Sequence, residues 1–309
     1  MPGAVRTIFP AMGTVNSISI YDAGQQRAAV AAKDLVMQLE RSLSLFRPGS
    51  ELSRFNALPG GTWMTVSEDT FALFCASVHY GRITDGAFDV TSGPLTALWR
   101  DAIKEQRIPA ESEIRSRKRC VDYKAISLDD ERRRVRLLSD GQSVDFGGIA
   151  KGYAADRVFE IMRKADVQNA VINFGGTVGV LGKAQRIGIQ HPCRPTGEPM
   201  GTLTLQNAFA VTSGSYERGF TVNGKRYHHI IDPHSGMPSQ SGLLSVTLVG
   251  EQATALDALA TAVFVLGAER SLPLLRRMEI EALFITAEGA VFVTPGLEKN
   301  YRLLDQKGA

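Results

Sequence analysis

The sequence predicts an α+β fold of mixed sheets with packed helices, built as one domain over residues 1–309 or as two intimately packed subdomains. Three observations carry that prediction. Short apolar runs recur between turn signals in the second half, and Asn223-Gly224 is the strongest hairpin turn in the chain. Longer segments repeat apolar residues at helical spacing. The two kinds of element mix without the regular strand–helix–strand alternation of a doubly wound sheet.

In chain order, residues 7–21 read as a strand after an exposed Met12-Gly13-Thr14 turn, with Val15, Ile18 and Ile20 in alternation. Residues 28–45 set Val30, Leu35, Val36, Leu39 and Leu43 at helical spacing, and Pro48-Gly49-Ser50 breaks that helix. A second helix covers about residues 68–84 and stops near Asp85-Gly86. Residues 104–134 are charged and weakly patterned, which predicts surface helix and loop. Residues 135–144 read as a hairpin through Asp140-Gly141. Residues 147–152 open a helix that runs to Met162, and Ala170–Phe174 is a strand ending at Gly175-Gly176. Short strands follow at 186–190, 202–205, 208–211, 219–222 and 227–231. A strand at 243–249 leads to the helix Ala253–Leu266, closed by Gly267; segments 272–278, 282–286 and 290–294 complete the chain.

Composition excludes several classes. With 309 residues, 44% of them hydrophobic, the chain can bury a substantial core. Its 30 glycines and 13 prolines are dispersed, so collagen, coiled coil and disorder do not fit. Thirty-five Lys and Arg against 32 Asp and Glu leave a net charge of +3, too small a surplus to imply a nucleic-acid partner. Cys75, Cys120 and Cys193 are odd in number and lack C-x-x-C spacing, which supports neither a disulfide framework nor a zinc site. No apolar run approaches the roughly 18 residues of a membrane span. Residues 1–10 carry no apolar signal core, so the expectation for the chain as written is a cytoplasmic protein without an integral membrane segment. Periplasmic or membrane-anchored residence would require a leader removed upstream.

Four segments can carry chemistry. The helix Ala253–Leu266 is apolar nearly all round and therefore buried, yet it contains Asp257 and Thr261, four residues apart on one face, with Thr254 on the same stripe. A carboxylate there needs a cation or several donors, and no Lys or Arg lies on the helix. A hard divalent ion held by both oxygens is one solution, and backbone donors from a neighbouring loop are the other. The second segment is Asp145-Phe146-Gly147-Gly148-Ile149-Ala150-Lys151-Gly152. Its glycines allow close backbone approach, Lys151 suits a phosphate and Asp145 suits a base or ribose, although an ordinary glycine-rich turn has the same pattern. The third comprises Thr212-Ser213-Gly214, whose hydroxyls suit a phosphate, and Tyr227-His228-His229-Ile230-Ile231-Asp232-Pro233. Adjacent strand histidines point to opposite faces, so at most one of His228 and His229 enters a shared site. Asp232 reads equally as a turn cap. The fourth, Gly86-Ala87-Phe88-Asp89-Val90-Thr91-Ser92-Gly93-Pro94-Leu95, either frames a heterocycle or is a packed loop with a glycine-proline turn.

Together with Met12-Gly13-Thr14, Phe46-Arg47-Pro48-Gly49-Ser50-Glu51-Leu52-Ser53-Arg54-Phe55-Asn56 and Asn173-Phe174-Gly175-Gly176, these segments resemble the ApbE family of FAD:protein FMN transferases, in the family's order and over nearly the whole chain. The resemblance implies an ApbE-like, T-fold-like architecture. It also implies that the FMN moiety of FAD moves to a Thr or Ser hydroxyl of an acceptor flavoprotein through a phosphoester bond, with AMP released and Mg²⁺ (or Mn²⁺) as the metal. An FAD pyrophosphatase giving FMN and AMP, or a non-catalytic FAD-binding protein, would share the same residues. By motif position, Asp257, Thr261 and the carbonyl at Gly148 resemble the metal ligands. Met12, Phe46, Ala87, Phe88, Asp89, Asp145, Lys151 and Ile231 resemble the flavin-nucleotide contacts. His229 resembles the family histidine near the reacting phosphate, where it would act as a base or orient the hydroxyl. Phe46 stands where tyrosine is common, and Gly148 where serine or alanine is common.

Overall fold

The computed structural model describes residues 4–304; residues 1–3, on which the expectation of no leader partly rests, lie outside the described residues. The first segment is a hairpin of β1 (Val5–Ala11) and β2 (Thr14–Ile20), turned by Met12 and Gly13 at φ 53° and 72°. Buried Asn16 locks that turn by donating Nδ2–H to the Ala11 carbonyl at 2.9 Å. Then come α1 (Gln26–Leu43), α2 (Glu51–Asn56), β3 (Met64–Thr65), α3 (Glu68–Ile83), α4 (Gly93–Glu105) and α5 (Glu111–Lys118). Sequence pattern predicts no helix over α2, whose six residues are too few to display a helical period. The glycine-proline turn expected at the start of α4 is also corrected. Pro94 occupies the first helical turn, where a missing N–H costs nothing.

A further correction concerns the hairpin expected through Asp140-Gly141. The strands are β4 (Ile126–Asp129) and β5 (Arg134–Leu137), joined by residues 130–133. Arg134 donates to the Asp129 carboxylate across that turn at 2.6 Å. Beyond it lie α6 (Ala150–Lys164), β6 (Ala170–Phe174), β7 (Thr177–Leu181), β8 (Gln185–Gln190), β9 (Pro199–Leu205), β10 (Ala208–Gly214), β11 (Gly219–Val222) and β12 (Lys225–His228). The strand expected over 227–231 ends at His228, because Asp232 turns the chain by accepting the His234 N–H at 2.9 Å. The chain ends with β13 (Leu243–Gly250), α7 (Ala253–Leu266), α8 (Ala268–Arg277), β14 (Glu281–Thr286), β15 (Val291–Val293) and β16 (Tyr301–Leu303).

Eight strands form the main sheet in the order β1-β2-β6-β7-β10-β13-β14-β15. Smaller sheets are β16-β9-β8, β3-β5-β4 and β11-β12, and all these ladders are antiparallel. The main sheet packs on both faces across its central strands. Ile18, Phe174, Val211, Val246 and Phe284 face the helical side, in one core with Val36 of α1, Val158 of α6 and Leu259 of α7. Val180, Ala210, Leu283 and Ile285 face the other side, against Ile189 and Leu203 of the three-stranded sheet. A third core joins α4 and α5 to β11 and β12, where the Trp99 ring stacks on Tyr227 and its N–H donates to the Gly236 carbonyl at 2.8 Å.

Helices α6 and α7 meet at a tightly fitted joint. The Asp156 carboxylate on α6 caps α7 by accepting the Ala253 and Thr254 N–H groups, each at 2.8 Å. The Thr254 hydroxyl donates to it as well, so that side chain serves the cap rather than the stripe it was expected to share with Asp257. One turn earlier on α6, Gly152 lets the helices approach: a Cβ there would lie 2.2 Å from the Ala253 carbonyl oxygen.

Candidate active site

Asp257 is buried by the all-round apolar packing of α7, and its charge is answered from α6. The Gly152 N–H donates to Oδ2 at 2.9 Å, and Lys151 Nζ stands 3.5 Å from Oδ1. Thus the cation that α7 lacks arrives from a residue more than 100 positions earlier. Thr261, one turn further along, has a hydroxyl whose nearest acceptor is the Asp257 carbonyl, at the 3.5 Å limit of a hydrogen bond, so its lone pairs remain open. Gly148 packs against that hydroxyl, since a Cβ there would sit 3.1 Å from Thr261 Oγ1 and 3.4 Å from the Phe88 ring. Asp257, Thr261 and Gly148 therefore do come together, with Phe88 as a buried wall.

The described residues contain no group of three His, Cys, Asp or Glu side chains able to hold a metal. The donors present, one carboxylate, one open hydroxyl and a glycine backbone, are hard oxygens. They fit a Mg²⁺-type ion that completes its shell with water and substrate phosphate oxygens.

A second group forms around Asp145 and α4. Asp145 Oδ1 accepts the Gly147 N–H at 2.8 Å, and Oδ2 accepts the Thr96 hydroxyl at 2.9 Å. Arg100, four residues after Thr96 and so on the same helical face, lies over the Phe46 ring at 4.9 Å. That ring is otherwise open, for Phe46 is 71% exposed. The two groups meet at Gly147, whose amide serves Asp145 and whose carbonyl accepts from Lys151 Nζ at 3.2 Å.

Not every predicted residue presents its side chain to this centre. Asp89 was expected at the nucleotide, but its carboxylate is buried and already occupied. Oδ1 accepts the Thr91 N–H and hydroxyl at 2.8 and 2.6 Å, and Oδ2 accepts the Tyr123 N–H at 3.0 Å. Burial raises the Asp89 pKa despite those donors. Strand alternation separates Thr212 from Ser213: Val211 and Ser213 share the α7 face, while Thr212 turns the other way, its hydroxyl 2.8 Å from that of Thr247. Gly214 backs onto the Tyr216 ring. Ala87 and Ile231 are buried, and Ile231 bridges Pro238. The Met12 N–H donates to the Glu40 carboxylate at 2.5 Å.

The two histidines have separate surroundings, His228 ending β12 and His229 lying just beyond it. His228 is buried edge-on to Phe264, with Nε2 3.1 Å from the Ser239 carbonyl and Nδ1 accepting the Ile230 N–H at 3.3 Å. His229 instead has Nδ1 3.3 Å from the Arg218 carbonyl. A neutral ring in that position carries its proton on Nδ1 and leaves Nε2 as the acceptor. Burial pushes both rings down to about 4; for His229 the charges of Arg218 and Lys151 act in the same direction. Arg218 and Thr96 carry no motif signal of their own, and only the fold brings them to this region.

The depressed histidines set an acid limit on stability. The unfolded chain takes up these protons near pH 6.5, whereas the folded one does so only near pH 4. Stability is therefore intact above about pH 6.5 and falls as pH drops toward 4, by up to about 3 kcal/mol for the buried His228 ring. Urea titrations between pH 7 and 4.5 are expected to show this decline, and His228→Gln should reduce it by about half. An unchanged pH slope in that variant would count against the assignment.

Residues 12–284 match the ApbE family model. The chain is 35% identical over 272 residues to the FAD:protein FMN transferase of Klebsiella pneumoniae (strain 342), an alignment covering 88% of this chain and 86% of that protein. It is 30% identical to the FAD:protein FMN transferase of Escherichia coli (strain K12), over 92% of this chain and 84% of that one. The crystal structure of the ApbE protein from Thermotoga maritima aligns at TM-score 0.87 with 32% identity, over 97% of this chain and 99% of that one. The apo flavinyl transferase ApbE of Pseudomonas stutzeri aligns at TM-score 0.83 with 28% identity, over 96% of each chain. The matched span contains every residue of the Lys151–Asp257 centre, and on sequence and fold alike this chain belongs to the ApbE family.

Proposed function

We propose that this chain is an FAD:protein FMN transferase, in one domain, that moves the FMN moiety of FAD onto a Thr or Ser hydroxyl of an acceptor flavoprotein and releases AMP. The observation that carries the reading is the convergence of Lys151, Asp257, Thr261 and Gly148 from separate elements into one charged centre beside His229. Displacement at a pyrophosphate needs in-line placement and cancellation of oxyanion charge, and these groups suit both tasks. Asp257, Thr261 and the Gly148 carbonyl would hold Mg²⁺, which when bound supplies Lewis-acid neutralisation of the phosphate oxygens. Lys151 offers its ammonium to the same oxygens. Phe46, on its face away from Arg100, offers a stacking surface for one of the ring systems of FAD, with Asp145 as a hydrogen-bond acceptor beside it. His229, neutral at pH 7, would accept the hydroxyl proton at Nε2 or align that hydroxyl for attack on the FMN-side phosphorus.

Incubation with FAD, Mg²⁺ and an acceptor bearing an Asp-x-x-Ser/Thr-like target is expected to add an FMN mass to the acceptor and to form AMP. Mass spectrometry and chromatography read the two products, and chelation of the metal should stop both. Free FMN with an unmodified acceptor would assign hydrolysis instead, and intact FAD would assign binding alone. His229→Ala is expected to lower turnover at saturating FAD and Mg²⁺ by roughly 10²–10⁴-fold. Unchanged turnover would remove His229 from the chemistry. Among the described residues no helix is long and apolar enough to cross a membrane, and the reading requires none.

A further inference from the structure

We propose that Arg218 is a second cationic clamp on the pyrophosphate of FAD, reaching it from beside the β1–β2 turn while Lys151 reaches it from α6. The proposal rests on the transferase reading above and adds a residue outside the sequence motifs. Arg218 lies in the short loop between β10 and β11, and that loop is held at several points. The Ser215 N–H donates to the Leu244 carbonyl at 2.9 Å. Arg226 donates from Nε and Nη2 to the Ser215 carbonyl at 3.3 and 3.2 Å, and from Nη2 to the Tyr216 carbonyl at 3.3 Å. The Tyr216 ring packs on Gly214, where a Cβ would be 2.6 Å from Cε1.

At the end of this loop the Arg218 carbonyl accepts the His229 N–H at 3.3 Å and faces its Nδ1, so the loop fixes the histidine ring. The Arg218 guanidinium extends the other way, to the Met12-Gly13 turn, and a Cβ on Gly13 would be 3.8 Å from Nη2. Arg218 thus holds His229 through its main-chain carbonyl and reaches the Met12-Gly13 turn through its guanidinium. Among the described residues it makes no ion pair.

Charge balance gives Arg218 a role beside Lys151 and the Mg²⁺ that the site would hold. Lys151 stands 3.5 Å from Asp257, so that pair is nearly neutral as a unit. A pyrophosphate carries about two negative charges, and the demand for positive charge rises as the leaving phosphate develops. Arg218 supplies charge that no carboxylate has already cancelled, on a planar fork suited to two phosphate oxygens. In the step itself the acceptor hydroxyl oxygen bonds to the FMN-side phosphorus. The bond from that phosphorus to the AMP phosphate oxygen breaks, AMP leaves with the electron pair, and the hydroxyl proton passes to His229. Arg218 forms no covalent bond.

Arg218→Gln and Arg218→Lys test this against wild type. FAD affinity, read by flavin fluorescence without added metal, is expected to weaken about tenfold in R218Q and less than about threefold in R218K. Turnover with metal and acceptor should fall roughly 10²-fold in R218Q, and added guanidinium should restore part of it. Unchanged affinity and turnover in R218Q overturn the clamp. So does a loss with a lowered Tm, or one that neither lysine nor guanidinium relieves, since either outcome assigns the loop a packing role. The wild-type arm keeps the two readings apart: a wild type that forms no AMP refutes the transferase reading, whereas an active wild type matched by R218Q refutes the clamp alone.

Discussion

Asp257→Asn is expected to lower metal-dependent AMP formation by about 10³-fold while leaving the protein folded. The asparagine side chain keeps the shape of the carboxylate and an oxygen for the Gly152 N–H, so the α6–α7 joint survives. Lost are the negative charge that faces Lys151 and the anionic ligand for a divalent ion, the two electrostatic roles of the residue. Asp257→Ala differs in a measurable way. It leaves the Gly152 N–H without its acceptor inside the packed helix pair, which costs about 1–3 kcal/mol of stability in addition to the activity. AMP release at saturating FAD and Mg²⁺, set beside the Tm of both variants, separates the two effects. Turnover of Asp257→Asn within about threefold of wild type would sink the assignment of Asp257 to the chemistry.

Gly152→Ala is expected to damage fold and activity together. The added methyl would sit 2.2 Å from the Ala253 carbonyl oxygen and 2.7 Å from Asp257 Cβ. A flexible side chain could move aside, but a helix carbonyl moves only with its helix, so α7 must shift away from α6. Overpacking of this kind costs about 3 kcal/mol, a drop in Tm of roughly 6–10 °C. The shift also lengthens the contact between Asp257 and the Gly152 amide and loosens the Asp156 cap on Ala253 and Thr254. Thermal melts and AMP assays on one preparation check this, and a variant that melts with wild type refutes the close joint.

The sequence is most informative where a single element declares its environment. Helix α7 is apolar all round and is buried, Asn223-Gly224 does turn β11 into β12, and the alternation of Ile18 and Ile20 does face them into the core. It is least informative where two signals compete or where partners lie far apart. Asp140-Gly141 looks like the better turn, yet residues 130–133 join the hairpin, because Val135 and Leu137 find their apolar partners on β4 and on the core beneath it. The Gly-Pro of α4 has two meanings, a turn or a helix start, and Ser92-Gly93-Pro94 has the spacing of an N-terminus. Asp257 and Thr261 are legible as polar residues on an oily face. Their partners are not, because Lys151 and Gly152 precede Asp257 by more than 100 residues and no local pattern links such positions. Asp89 shows the converse: its place in the motif does not reveal that its carboxylate is engaged by its own loop.

Asp257 is steadied by a main-chain amide as well as by the Lys151 side chain, and the amide part of that brace tolerates drift in sequence. Every residue type except proline provides that amide, so substitutions elsewhere on α6 leave that part of the brace in place. For that amide the vulnerable position is 152 itself, through bulk or through proline. Sequence divergence within such a scaffold is therefore free to reshape the surroundings of the acid while its bearing toward α6 stays the same.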